Sequence, residues 1–325
     1  MVASFDSENA LINEFNKAMD SFMDRKPNLQ SLVIEVDDSG VLIRQLYSNS
    51  TIIFVRYKQH HNGCVLKTED EQKVVEGVDF ISKAFEDLNA SLESNQNSVP
   101  EFGLLLEHNY FNRFVTYPVH DEAVKRLSKI LRSKISFVKV ESFHMHSEKL
   151  EHILQILPFL HPMFLKRLSL VNIGEDMEEL QIEELMKLPQ WKQVREIEIV
   201  NWVQDSSIRN FGHLEKGRFQ VKKICAEDVV CIKEMVQQSH KEFSFTFNEF
   251  ENFDLLTSIF GLPLTSAEQE VLRKMWFFKL SNDNKEVLNI NVTSNCLEFC
   301  YVPSSELIFL HNPDNICTAL NCVRS

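Results

Sequence analysis

Apolar and polar positions alternate in short runs between Leu131 and Phe247, and between those runs the apolar residues fall at helical spacing. Leu165, Leu168, Leu170 and Asn172 (LKRLSLVN) recur as Val194, Ile197, Ile199 and Asn201 (VREIEIVN), and a Leu-Pro pair precedes each block, Leu157-Pro158 and Leu188-Pro189. Leu168 and Ile197 stand 29 residues apart; Val138 and Val140 precede the first block by 30, Phe219 and Val221 follow the second by 22, and Phe243 and Phe245 come 24 later. Alternation with period two predicts five short strands, whereas Leu150, Ile153, Leu154, Leu157 and then Ile182, Leu185, Met186 fit the 3.6-residue helical period. Strand and helix recurring in this way predict an α/β fold, a leucine-rich-repeat-like strand-helix solenoid. Such an array buries its core between neighbouring units and presents a row of side chains along one face, a geometry suited to holding another macromolecule.

The flanks read differently. Leu11, Phe15, Ala18 and Phe22 mark an amphipathic helix that Pro27 ends. Leu32, Ile34 and Val36 alternate, Asp38-Ser39-Gly40 signals a turn, and Ile52, Phe54, Val55 and Tyr57 precede His61-Asn62-Gly63, which together predict an N-terminal β-meander over 30–67. Val74, Val78, Ile81, Phe85 and Leu88 predict a helix over 71–88, and the polar run Asn89 to Ser98, ending at Pro100, reads as a linker. Val124, Leu127 and Leu131 predict a further helix. Beyond Phe260-Gly261-Leu262-Pro263, Thr265 with Glu268 gives a capping-box signature for a short helix, and 276–310 alternate like a C-terminal antiparallel cap on the solenoid. The division expected from this is an N-terminal helix (1–26), a meander with its helix (27–95), an α/β repeat region with its cap (96–310) and a tail (311–325).

Composition excludes several classes of function. A net charge of −13 with only small basic clusters such as Lys125-Arg126 and Lys222-Lys223 argues against nucleic-acid binding, which depends on neutralising phosphates. No run reaches the ~18 apolar residues of a membrane span, and the N-terminus lacks a basic segment followed by an apolar one, so neither membrane insertion nor secretion is expected. Seven scattered cysteines fit reduced thiols in the cytoplasm or nucleus. No phosphate loop, nucleotide fingerprint or nucleophile elbow occurs, and only 8 glycines are present, so no catalytic residue and no cofactor is assigned. His144, His146 and His152 are read as surface or hydrogen-bonded histidines. Cys296 and Cys300 stand about 13 Å apart along one strand, too far to share an ion, so with His311 and Cys317 they are not read as a zinc site, and the cysteines are read as core thiols. Phe243, Phe245, Phe247 and Trp276-Phe277-Phe278 read as sheet core, and Trp191 as a buried spacer at the helix end.

The strand residues that alternate with the buried Leu168/Leu170 and Ile197/Ile199 pairs are the candidate contacts for a protein partner: Arg167, Ser169, Glu196 and Glu198, with Trp202 beside them. The segment Leu150 to Ile199, with ILPFLHPMFLKRLSLVNI and EELMKLPQWKQVREIEI, resembles the FTH domain of nematode F-box A proteins, most specifically in the Leu-Pro-x-Trp-Lys-Gln pattern at Leu188 to Gln193. The resemblance extends upstream through Leu32 to Cys64, which looks like the segment that follows the F-box in that family, and downstream to about Leu310, so that nearly the whole chain is covered. It implies a substrate-recognition subunit in which an F-box docks a Skp-family adaptor and cullin while the remainder holds a protein for ubiquitination. An F-box needs about 40 to 50 residues, in line with a minimal independent fold. Only 26 precede Pro27 here, so residues 10–23 are read as the remnant of its last helix. A stand-alone binder that has lost its coupling to a ligase is the alternative reading, and an unrecognised enzyme a further one.

Overall fold

The structure is a computed structural model that describes residues 28–95, 98–107, 118–174, 182–204, 208–268, 271–280 and 285–305. The helix expected around Leu11 to Phe22, with its F-box reading, and the tail 311–325 lie outside the described residues.

An antiparallel meander opens the described chain: β1 (Leu29–Asp37), β2 (Gly40–Tyr47), β3 (Ile52–His60), β4 (Gly63–Lys67) and β5 (Gln72–Glu76), followed by helix α1 (Phe80–Ser94). Strands β6 (Glu101–Leu106), β7 (Ser142–Ser147), β8 (Arg167–Asn172), β9 (Glu196–Gln204), β10 (Lys216–Cys225) and β11 (Glu242–Glu251) then run parallel to one another and to β1. Their connections carry α2 (Pro118–Ser133), α3 (Leu150–Ile156) with a 3-10 turn at Leu157–Phe159, α4 (Ile182–Met186), α5 (Pro189–Gln193), a 3-10 turn at Ile208–Phe211, and α6 (Ala226–Ser239). After α7 (Phe253–Phe260), β12 (Leu264–Glu268), β13 (Val271–Lys279), β14 (Glu286–Val292) and β15 (Cys296–Pro303) return antiparallel.

These elements correct the expected architecture. Among the described residues the fold is a single mixed sheet of fifteen strands, in the order β12-β13-β14-β15-β11-β10-β9-β8-β7-β6-β1-β2-β3-β4-β5, and not a leucine-rich-repeat-like solenoid. Both antiparallel flanks are hydrogen-bonded into the same sheet as the parallel centre, through β1 with β6 on one side and β11 with β15 on the other. The crossovers do not repeat a unit either. A 16-residue helix precedes β7, seven residues and a 3-10 turn precede β8, two five-residue helices precede β9, and a 14-residue helix precedes β11. Likeness between the β8 and β9 blocks is therefore local: Leu168 pairs with Ile197 and Leu170 with Ile199, as the 29-residue spacing requires.

One sheet face is apolar and covered by the helices. Its first row runs Phe102, Phe143, Leu168, Ile197, Gly217, Phe243 and Phe299 across seven paired strands. The next contains Leu104, Met145, Leu170 and Ile199. Val124, Leu127 and Leu131 of α2, Ile153 and Ile156 of α3 and Val229, Ile232 and Val236 of α6 join them in one continuous core, and burying each such side chain contributes on the order of 1.5–3 kcal/mol. Phe243, Phe245, Phe247, Trp276 and Phe278 lie in that core, as their alternation implied. Gly217 occupies a place in the apolar row because the Phe219 and Phe243 rings fill the space above it: a Cβ there would meet Phe219 Cε2 at 2.3 Å.

Four local expectations are overturned. The segment expected to start a helix at residue 71 forms β5, paired with β4, and Gly77 (φ +76°) breaks the chain before Asp79 caps α1 through Ser82 N–H at 2.8 Å. The supposed linker from Asn89 is helical to Ser94, because Ser91 and Leu92 pack inward and Ser91 Oγ accepts a hydrogen bond from Gln45 Nε2 at 2.6 Å. Val138 makes only an isolated bridge to Leu160, and the strand beside β8 is Ser142–Ser147, so Phe143 rather than Val138 neighbours Leu168. Thr265 to Glu268 belong to a strand paired with β13, not to a capped helix.

Candidate functional site

Because strand side chains alternate between faces, every residue next to one of the apolar rows points away from the helices. On this outer face parallel pairing aligns Glu101, Ser142, Arg167, Glu196, Lys216 and Glu242 in one row. Two residues further along, a second row runs His144, Ser169, Glu198, Arg218, Ser244 and Glu298. The first therefore alternates in sign from Arg167 to Glu242, and the second places Arg218 between Glu198 and, beyond Ser244, Glu298. Together they line a shallow open groove of about 700 Å³.

Neighbours within the rows hold one another. Arg218 Nη1 lies 3.1 Å from Glu198 Oε1, Ser169 Oγ 3.4 Å from Glu198 Oε2, and Lys216 Nζ 3.0 Å from Glu242 Oε2. Ser142 Oγ and His144 Nε2 are 2.9 Å apart, and Asn291 Nδ2 donates to Glu298 Oε2 at 3.0 Å. Exposed pairs of this kind contribute about 0–1 kcal/mol each to stability. A fixed pattern of opposite charges can in general steer a complementary partner and repel a mismatched one.

Four of the five candidate contacts, Arg167, Ser169, Glu196 and Glu198, line this groove. Trp202 does not. It is 1% exposed and belongs to the core, because Asn201 before it adopts a left-handed conformation (φ 59°) and β9 shifts register against β10 between Glu198 and Val203, turning the indole inward. Asparagine tolerates this conformation better than most residues, and Asn201 Nδ2 donates to Asn172 O at 3.3 Å while Asn172 Nδ2 donates to Asn201 O at 3.2 Å. The groove residues not anticipated from the repeat are Glu101, Ser142, His144, Lys216, Arg218, Glu242, Ser244, Glu298 and Cys300. For Lys216, Arg218, Glu242 and Ser244 the signal was present in the same period-two alternation of KGRF and EFSF, one and two strands beyond the two matching blocks.

A Ser-His-Asp chain lies elsewhere in the molecule. Ser147 Oγ is 2.9 Å from His152 Nδ1, and His152 Nε2 is 2.7 Å from Asp121 Oδ1. It lacks the access that nucleophilic catalysis requires. Ser147 is 0% and His152 2% exposed, and the serine hydroxyl is already engaged, accepting from Lys149 N–H and donating to Lys149 O, each at 3.1 Å. The network instead ties α2, β7 and the start of α3 together, and the Lys149 ammonium and His152 beside Asp121 hold its carboxyl below the ordinary carboxylate range. His146, beside Glu107 at 3.8 Å, is lowered by burial. The three histidines thus have separate partners, and among the described residues no group of three or more His, Cys, Asp or Glu is arranged to hold a metal ion. Cys296 and Cys300 are half-buried thiols raised by desolvation; His311 and Cys317 lie outside the described residues.

Comparison with protein families matches the FTH domain over residues 121–263. The match opens within α2, spans β7 to β11 and ends just after α7, leaving the two antiparallel flanks outside it. Neither the curated proteins nor the solved structures contain a match to the chain. No helix among the described residues is long and apolar enough to cross a membrane.

Proposed function

We propose that this chain, which carries an FTH domain, is a non-enzymatic module that binds another protein through the charged outer face of β6 to β11 and β15. The observation behind this reading is the alignment of ionic and hydroxyl side chains from seven successive strands into two rows with a defined order of charge. A sheet face that only needs to be soluble does not require such an order, whereas a recognition surface uses it to set partner and register. Resemblance to F-box A proteins supports a finer reading, recognition of a protein destined for ubiquitination in company with a Skp-family adaptor and cullin. The alternative is a stand-alone binder with no ligase attached.

Affinity purification of the tagged chain from its own source, in parallel with K216E/R218E, tests both levels. Reversing two charges at the centre of the rows sets like charges against Glu198 and Glu242, so a genuine target is recovered at least tenfold less well with the variant. Equal recovery of every partner would remove the outer face from the reading. A Skp-family adaptor and cullin present with both forms would favour the ligase-coupled version, and a charge-sensitive target recovered without them the stand-alone one.

A further inference from the structure

Net charge is strongly negative, yet two stretches that meet in space contain no acidic residue: Ala123 to Val140 and His152 to Gly174. In the first, Lys125, Lys129 and Arg132 are exposed on α2 at spacing i, i+4, i+7, which places them on one helix face. None of the three carries an ion pair among the described residues, in contrast to Arg126 on the adjoining face, which is 2.6 Å from Glu122. This basic stripe runs directly into an exposed apolar cluster. Ile135 is fully exposed, Met163 is 70%, Phe137 50% and Phe164 45% exposed.

The cluster is held in shape. The loops before β7 and β8 are joined by the Val138–Leu160 bridge, with Val138 N–H donating to Phe159 O at 3.2 Å and His161 N–H to Val138 O at 2.8 Å. The His161 ring stands edge-on to Phe137 at 6.1 Å and to Phe164 at 4.9 Å. Lys139 Nζ lies 5.2 Å from the Phe164 centroid and Arg132 Cζ 5.5 Å from that of Phe159. A preorganised aromatic platform beside unpaired cations loses little conformational entropy when it binds, and exposed apolar clusters rimmed by polar groups mark interaction sites.

We infer that the α2 stripe and the Ile135/Phe137/Met163/Phe164 platform form a second docking surface, distinct from the outer sheet face, for an acidic protein segment bearing large apolar anchors. Charge complementarity selects the occupant: Lys125, Lys129 and Arg132 call for carboxylates at one end of the segment, and the platform for one or two Leu, Phe or Trp side chains at the other. A membrane surface fits less well. Phe137 and Phe164 are engaged by His161 and Lys139 as a shallow platform rather than standing free as wedges.

The test is selection of a displayed random dodecapeptide library on the full chain, counter-selected on K125E/K129E/R132E, with enriched peptides then measured by fluorescence anisotropy. The expected result is enrichment of sequences combining Asp or Glu with Leu, Phe or Trp. Their affinity falls at least tenfold in the triple charge-reversal variant and again in F137S/F164S, weakens with salt, and is unchanged in K216E/R218E. All substituted side chains are exposed, and a thermal melt of each variant verifies folding. Failure to enrich acidic-apolar peptides, equal binding by both patch variants, or binding of phosphatidylserine vesicles lost in those variants with no peptide enriched would overturn the proposal.

Discussion

Substitution of Gly217 by alanine adds one methyl group at the centre of the apolar row, and the structure fixes what it strikes. The new Cβ would lie 2.3 Å from Phe219 Cε2, 2.9 Å from Phe219 Cζ and 2.8 Å from Phe243 Cδ1. Neither ring has room to retreat, because Phe219 is stacked at 4.1 Å on Phe211 and at 5.6 Å on Phe245, and Phe243 is stacked at 6.0 Å on Phe245. Overpacking of this kind costs about 1–3 kcal/mol, and the reduced freedom of the unfolded chain returns ~0.4–1 kcal/mol of it. Contacts this short put the cost in the upper part of that range, about 2–3 kcal/mol, so with ~1 kcal/mol returned the net loss is about 1–2 kcal/mol. With an unfolding entropy of ~2.1 cal/mol/K per residue, each kcal/mol moves the melting temperature of a chain this long by ~1.5 °C. G217A should accordingly melt about 1.5–3 °C below the wild type in differential scanning calorimetry. F219L, which shortens the obstructing ring, should be non-additive with it, the double variant losing less than the sum of the two single losses. A melting temperature for G217A at or above the wild-type value, or strict additivity, would refute the claim that ring packing is what keeps this position a glycine.

Two further outcomes follow from polar contacts between elements. Asp121 has its folded-state pKa depressed by Lys149 and His152, so its stabilising contribution is present above the unfolded value near ~3.9 and is lost as pH falls through the folded one; D121N should have a lower urea midpoint at pH 7 and a flatter decline below about pH 4, and parallel wild-type and variant curves across that window would contradict it. Gln190, 1% exposed, donates through Nε2 to Pro158 O at 3.1 Å and Leu160 O at 2.7 Å, and Q190A, leaving both carbonyls unsatisfied, should cost about 1–3 kcal/mol, a loss that an unchanged thermal melt would exclude.

Local chemistry was legible in the sequence wherever the apolar spacing was regular. Leu168/Leu170 and Ile197/Ile199 pair as their 29-residue separation demands, α2, α3 and α4 form where apolar residues recur at helical intervals, and the opening meander falls at β1 to β4. Global architecture was not legible, because two similar neighbouring strands do not reveal what pairs with the ends of the row. Joining of β1 to β6 and of β11 to β15 depends on partners 65 residues or more away in the first case and 50 or more in the second, and no local period encodes that. Gly217 concealed the register of β10 by placing a glycine where the pattern called for an aliphatic residue. Trp202 was misplaced for a related reason: the left-handed turn at Asn201 resets the alternation of β9, and its only sequence trace is an asparagine. Of the outer face, the residues on β8 and β9 were legible because LKRLSLVN and VREIEIVN match position for position, whereas KGRF and EFSF on β10 and β11 alternate without matching them and β15 lies beyond the repeat.

The size of the charged face sets a limit on what it can hold unaided. Seven strands at a spacing of ~4.8 Å make a strip roughly 29 Å long, and two rows of side chains make it about 14 Å wide. That is ~400 Å², half of the ~800 Å² that each partner contributes to a standard-sized stable complex. A segment of eight or nine extended residues laid across the strands would cover it. A folded target gripped for long would therefore also have to bear on the loops at the strand ends or on the flanking antiparallel strands.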